Sequence, residues 1–89
     1  MEVLLINYDL NFEIRRPPIV ERIRKLYPDN KRISESSYAI YTNDSPETVY
    51  DKFKDLIDSN DNCMVFTLRR PYAGWHRTPV IEWLESRVN

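Results

Sequence analysis

The chain opens on Val3-Leu4-Leu5-Ile6, four apolar residues in a row, and closes that run with Asn7-Tyr8-Asp9. A continuous apolar run of this length predicts a strand over Glu2 to Tyr8 that is covered on both faces, hence one in the middle of a sheet. Asp9-Leu10-Asn11 then turns the chain, and a loop follows from Phe12 to Arg16. Pro17-Pro18 opens a helix, because the first turn does not need the missing N–H. Ile19, Val20, Ile23, Leu26 and Tyr27 follow at helical spacing, and Pro28-Asp29-Asn30 stops the helix. From Lys31 to Thr42 the β-branched and aromatic residues predict a pair of short strands with a kink near Ser36-Ser37. Asn43-Asp44-Ser45-Pro46-Glu47 is a helix start, with Asp or Ser as cap and an acid near the positive end of the dipole. Val49, Phe53, Leu56 and Ile57 make its buried stripe, with Tyr50 beside it. Asp58-Ser59-Asn60-Asp61-Asn62 is a turn, and Cys63 to Leu68 a further apolar strand. The tail from Arg69 to Arg77 leads to Thr78-Pro79, which opens a last helix. Thr78 is its expected cap, Val80, Ile81, Leu84 and Val88 its apolar stripe, and Trp83 flanks the stripe.

The resulting order is strand, helix, strand, strand, helix, strand, with a helix appended. That is the α+β, ferredoxin-like βαββαβ plan: a four-stranded antiparallel sheet with two helices on one face, plus the C-terminal helix. Right-handed crossovers place the first strand and the strand after the kink in the centre. At 89 residues the whole chain, 1–89, reads as one domain, with 1–70 as its core and 71–89 as a C-terminal loop and helix. Gly74, the sole glycine, marks a place that needs positive φ or close packing. A chain this small buries a modest core, so pairing with a second copy would help it.

Composition narrows the chemistry. Hydrophobic residues at 42% and charged residues at 30% describe a globular chain, not a disordered one. Cys63 is the lone cysteine and His76 the lone histidine, which excludes an internal disulfide and a thiolate or imidazole zinc site within one chain. Cys63 lies in an apolar run, so a reduced, buried thiol is expected. No stretch reaches the length of a membrane span, and no basic region precedes the first apolar run, which together point to a cytoplasmic protein with no membrane partner.

Net charge is −1, with 13 basic and 14 acidic residues, which argues against a general electrostatic grip on nucleic acid. The charges are clustered, however. Arg15, Arg16, Arg22, Arg24, Lys25, Lys31 and Arg32 come early, acids crowd the segment from Asp44 to Asp61, and Arg69, Arg70, His76 and Arg77 come late. One reading is solvated helix faces and a basic loop. The other brings the basic clusters onto one face that binds the phosphates of RNA or DNA, with Arg15, Arg16, Arg32, Arg69, Arg70 and Arg77 as the candidate contacts.

Four stretches carry a family resemblance. Leu4-Leu5-Ile6-Asn7-Tyr8-Asp9-Leu10 resembles the opening strand of the CRISPR-associated integration-adaptor proteins, the small dimeric Cas proteins often described as endoribonucleases. Glu35 to Thr42, Asp58-Ser59-Asn60-Asp61 and Ala73-Gly74-Trp75 followed by Trp83-Leu84 resemble the SinR-like branch of that superfamily. The resemblance implies a ferredoxin-like homodimer. It also implies that Asp9, the residue matching the adaptors' acid, approaches its twin across the dimer axis and holds a divalent metal for phosphodiester cleavage. Magnesium suits such a site, because it takes oxygen ligands and keeps several waters; paired Asp9 carboxylates with Asn11 or backbone carbonyls would supply them. The strongly basic surface of the adaptors is missing here, which weighs against duplex DNA.

The residues themselves leave alternatives open. Asp9 is equally suited to capping the turn that follows it. His76 has no carboxylate nearby in sequence to orient it, so a phosphate contact or loop packing fits it better than acid–base catalysis. Tyr8, Tyr38, Tyr41 and Tyr72 suit packing or a dimer seam better than base stacking, and Trp75 and Trp83 read as anchors clamping the tail onto the sheet or a partner subunit. Three functions follow: a homodimeric binding protein contacting nucleic acid, a metal-dependent endonuclease built on paired Asp9, and a protein-interaction module such as a toxin–antitoxin component or viral inhibitor whose acidic second helix mimics nucleic acid.

Overall fold

The computed structural model describes residues 1–11 and 16–89; Arg15 and most of the loop expected after the first turn lie outside them. The elements are β1 (Glu2–Asp9), α1 (Arg16–Leu26), β2 (Asn30–Ser34), β3 (Ser37–Thr42), α2 (Pro46–Asp51), a 3-10 turn (Lys54–Leu56), β4 (Asn62–Leu68) and α3 (Thr78–Arg87). The sheet runs β2-β3-β1-β4 and every neighbouring pair is antiparallel, which is the expected ferredoxin-like α+β arrangement with β1 and β3 in the centre.

Both faces of β1 are used. Leu4, Ile6 and Tyr8 point toward α1 and α2 and join Ile19, Ile23, Tyr27, Tyr38, Ile40, Val49 and Phe53 in the larger core. Val3 points the other way and joins Ala39, Val80, Trp83, Leu84 and Val88 in a smaller core under α3. The apolar run at the start of the chain is therefore explained by two cores sharing one strand as their wall. α3 packs over β2 and the start of β1 and leaves the β4 side of its face open, so Met64 and Phe66 are exposed there.

Several local expectations shift. The stripe of α1 buries Ile19, Ile23 and Tyr27, but Leu26, at the helix end, is exposed. α2 stops at Asp51: Lys52 N–H donates to Val49 O and Phe53 N–H to Tyr50 O, the tighter bonding of a closing turn. Thr78 is the first residue of α3 and not its cap; Arg77 holds the cap position and makes no side-chain capping bond. Trp83 belongs to the buried stripe of α3 and Ile81 flanks it. Cys63 is half-buried, and burial raises its thiol pKa. Gly74 has φ of +151°, and a Cβ there would meet nothing within 4 Å, so conformation and not crowding requires the glycine. At the ends of the chain, Arg70 N–H donates to Asn89 O, and Asn89 Nδ2 to Met1 O.

Candidate nucleic-acid interface

The β2–β3 turn is built from serines. Ser34 Oγ lies 2.7 Å from Ser37 Oγ and accepts the Ser36 N–H at 3.2 Å, which folds the chain sharply without a glycine. Beside this turn the tail is fastened to β2 through His76. The Arg77 N–H donates to His76 Nδ1 at 2.8 Å, which leaves Nε2 to carry the ring proton and donate it to Ile33 O at 2.8 Å. With both ring nitrogens engaged, His76 acts as a fastening.

That fastening brings distant arginines together. A groove of about 370 Å³ is lined by Arg32, Ile33, Ser34, Glu35, His76, Arg77 and Val80. Arg32 and Arg77 are exposed on its walls, and neither forms an ion pair among the described residues; the Arg32 Nε reaches Ser34 O at 3.4 Å. The amino end of α3 opens at Arg77, which adds the positive end of a helix dipole to the same place. Glu35 is the one acid among the described residues that line this groove.

Arg16 joins from the helix side. Burial, first, and the neighbouring Tyr38 phenol push the Tyr8 hydroxyl above its ordinary pKa, while the charges of Arg16 and Arg32 pull it down. Both guanidinium groups therefore lie within electrostatic reach of this one buried phenol, which has no hydrogen-bond partner among the described residues. Arg24 donates to the Tyr38 hydroxyl at 3.3 Å and extends the basic strip along α1.

Arg69 and Arg70 sit elsewhere. Arg69 pairs with Glu2 at 2.8 Å and Arg70 with Glu85 at 2.8 Å, at the opposite corner of the sheet from Arg32. The late basic cluster thus splits: Arg77 and His76 go to Arg32, and the Arg69-Arg70 pair goes to the start of β1 and the end of α3.

Asp9 is exposed at the end of β1, opposite Asn62. The carboxylate that fastens the turn after β1 is Asp61, buried, whose Oδ1 accepts the Asn11 N–H at 2.6 Å and whose Oδ2 accepts the Asp58 N–H at 3.1 Å. Among the described residues no group of three or more His, Cys, Asp and Glu side chains gathers as a metal site. Three of the six acids of the middle segment are tied to bases: Asp44 to Lys52, Asp51 to Lys54 and Asp55 to Arg22.

The tyrosines named above do not line an open sheet face. Tyr8 and Tyr38 are buried under the helices, and Tyr41 and Tyr72 pack around the core beneath α3. Among the described residues the exposed aromatics are Tyr50 on α2, Phe66 on β4 and Trp75 in the tail, the last 91% exposed, so Trp75 does not clamp the tail onto the sheet. Sequence reading missed Met64 and Phe66 because an unbroken apolar run looks covered on both sides; only the edge position of β4 shows that one side is open. No helix among the described residues is long and apolar enough to cross a membrane. No protein-family model matches this sequence, and no curated protein matches it at a significant level.

Proposed function

We propose that the protein is a small homodimeric binding protein of SinR-like type that contacts nucleic acid, with Arg32 and Arg77 beside the β2–β3 turn as its phosphate contacts. The observation that carries this reading is the meeting of Arg32 and Arg77, far apart in sequence, in one groove where neither is paired to an acid among the described residues. Phosphate binding needs guanidinium groups that are not already neutralised, and this groove keeps them. Arg69 and Arg70, held by Glu2 and Glu85, have a structural task and contribute less. The ion pairs of Asp44, Asp51 and Asp55 with Lys52, Lys54 and Arg22 reduce the acidic surface that mimicry of nucleic acid would require.

Anisotropy titrations of labelled single-stranded RNA and duplex DNA over a salt series test the reading. Binding should weaken with salt, and Arg32→Ala and Arg77→Ala should each lower the log–log slope by about one, the loss of one phosphate contact. Arg69→Ala should leave the slope nearly unchanged. A flat salt dependence would sink the proposal. Magnesium-dependent cleavage abolished by Asp9→Ala would replace it with the endonuclease reading.

A further inference from the structure

The two edges of the sheet are built differently. β2 carries Lys31 and Arg32, and its register shifts between Arg32 and Ser34. Charges and bulges of this kind discourage an edge strand from pairing further. β4 has neither. From Asn62 to Leu68 it contains no charged residue and no proline, and every residue stays in register with β1. Met64 is 56% exposed and Phe66 47%, both on the face that α3 leaves open. A further groove of about 330 Å³, lined by Pro46, Glu47, Tyr50, Cys63, Met64 and Val65, runs along the same edge.

The backbone of β4 is oriented to accept a neighbour. Tyr8 N–H donates to Ser36 O, toward β3. Alternation along β1 therefore turns the backbone groups of Leu5, Asn7 and Asp9 toward β4, where they meet Phe66, Met64 and Asn62. Cys63, Val65 and Thr67 are left with their N–H and C=O groups directed away from the sheet.

We propose that β4 pairs antiparallel with β4 of a second copy of this chain, about a two-fold axis at Val65, to make one continuous eight-stranded sheet. In this register Val65 exchanges both backbone hydrogen bonds with its own twin, and Cys63 exchanges both with the second copy's Thr67. Met64 then faces the second copy's Phe66 in a non-hydrogen-bonded pair, where side chains approach most closely, so the exposed apolar residues cover each other twice over. Charge does not oppose this register: the turn before β4 in each copy lies beside the Arg69–Glu2 and Arg70–Glu85 pairs of the other, whose charges are already balanced. Strand spacing and rise place the twin Asp9 carboxylates roughly 25 Å apart on the joined sheet, too far to share a metal ion.

This inference rests on the self-association in the reading above and is independent of nucleic-acid binding. Light scattering after size exclusion should give the wild type twice the 10.7 kDa chain mass. Met64→Lys/Phe66→Lys should run at the mass of one chain with an unchanged circular dichroism spectrum, because it sets like charges directly opposite across the axis. Met64→Glu/Phe66→Lys should recover the dimer, because only this register puts each acid against a base. A monomeric wild type, or a dimer indifferent to the lysine pair, overturns the proposal; a mixed-sign variant as monomeric as the lysine pair overturns its register. The salt series separates these failures from failure of the nucleic-acid reading, since a monomer can still release counterions.

Discussion

Asp29 ties the last helix of the chain to the start of β2. Its Oδ1 accepts the indole N–H of Trp83 at 3.0 Å, its Oδ2 accepts the Arg87 Nε at 2.9 Å, and the Arg87 guanidinium lies 4.7 Å from the centre of the Trp83 ring. Hydrogen bonds to charged groups contribute more than neutral ones. Asp29→Ala should therefore lower stability by about 1–3 kcal/mol in urea unfolding, and Asp29→Asn, which keeps an acceptor, should lose less. In sequence, Asp29 reads only as part of a Pro-Asp-Asn helix stop. That local role is real, but the partners it gains from α3 are set by the packing of a distant segment, which no local pattern carries. The groove has the same history: Arg32 and Arg77 are each legible as basic residues, whereas their meeting depends on His76 reaching Ile33.

At the level of elements, α2 shows which signals are strong. Ser45 was one of two candidate caps, and its Oγ accepts the Thr48 N–H at 3.1 Å. Ser45→Ala should cost about 1 kcal/mol, seen as a lower thermal midpoint with unchanged spectra at low temperature. The end of α2 was harder to read, because Phe53, Leu56 and Ile57 keep a spacing that suits both a continuing helix and the 3-10 turn that forms. What decides it is tertiary: Phe53 stacks on Tyr27 with ring centroids 6.4 Å apart. The order of strands and the central place of β1 and β3 were legible from the apolar runs and the turn residues. The open side of β4 was not, since exposure depends on how far α3 extends across a face, a matter of helix length and placement.

Across the whole molecule, several ion pairs close the surface. Arg69 holds the Glu2 carboxyl below its usual range, Lys52 and Tyr27 do so for Asp44, Arg22 for Asp55, and Arg70 with Tyr72 for Glu85. A carboxylate whose folded pKa is lowered adds stability above its unfolded pKa and loses that contribution as pH falls through the folded value. The thermal midpoint should therefore stay level from neutral pH down to about pH 5 and decline below about pH 4. Added salt should shrink the decline, because these groups are exposed and screened. Melts followed by circular dichroism at stepped pH, with and without salt, check both statements. The four-stranded α+β plan was readable from pattern; the division into two cores on either side of the sheet follows from where α3 settles. That settling also holds Asn89 against Met1, through the Asn89 amide and the Met1 carbonyl. A short peptide bridge between these two residues could close the segment 1–89 into a ring. The architecture thus dictates which segments are neighbours in space, and leaves open which of them a ribosome would have to make first.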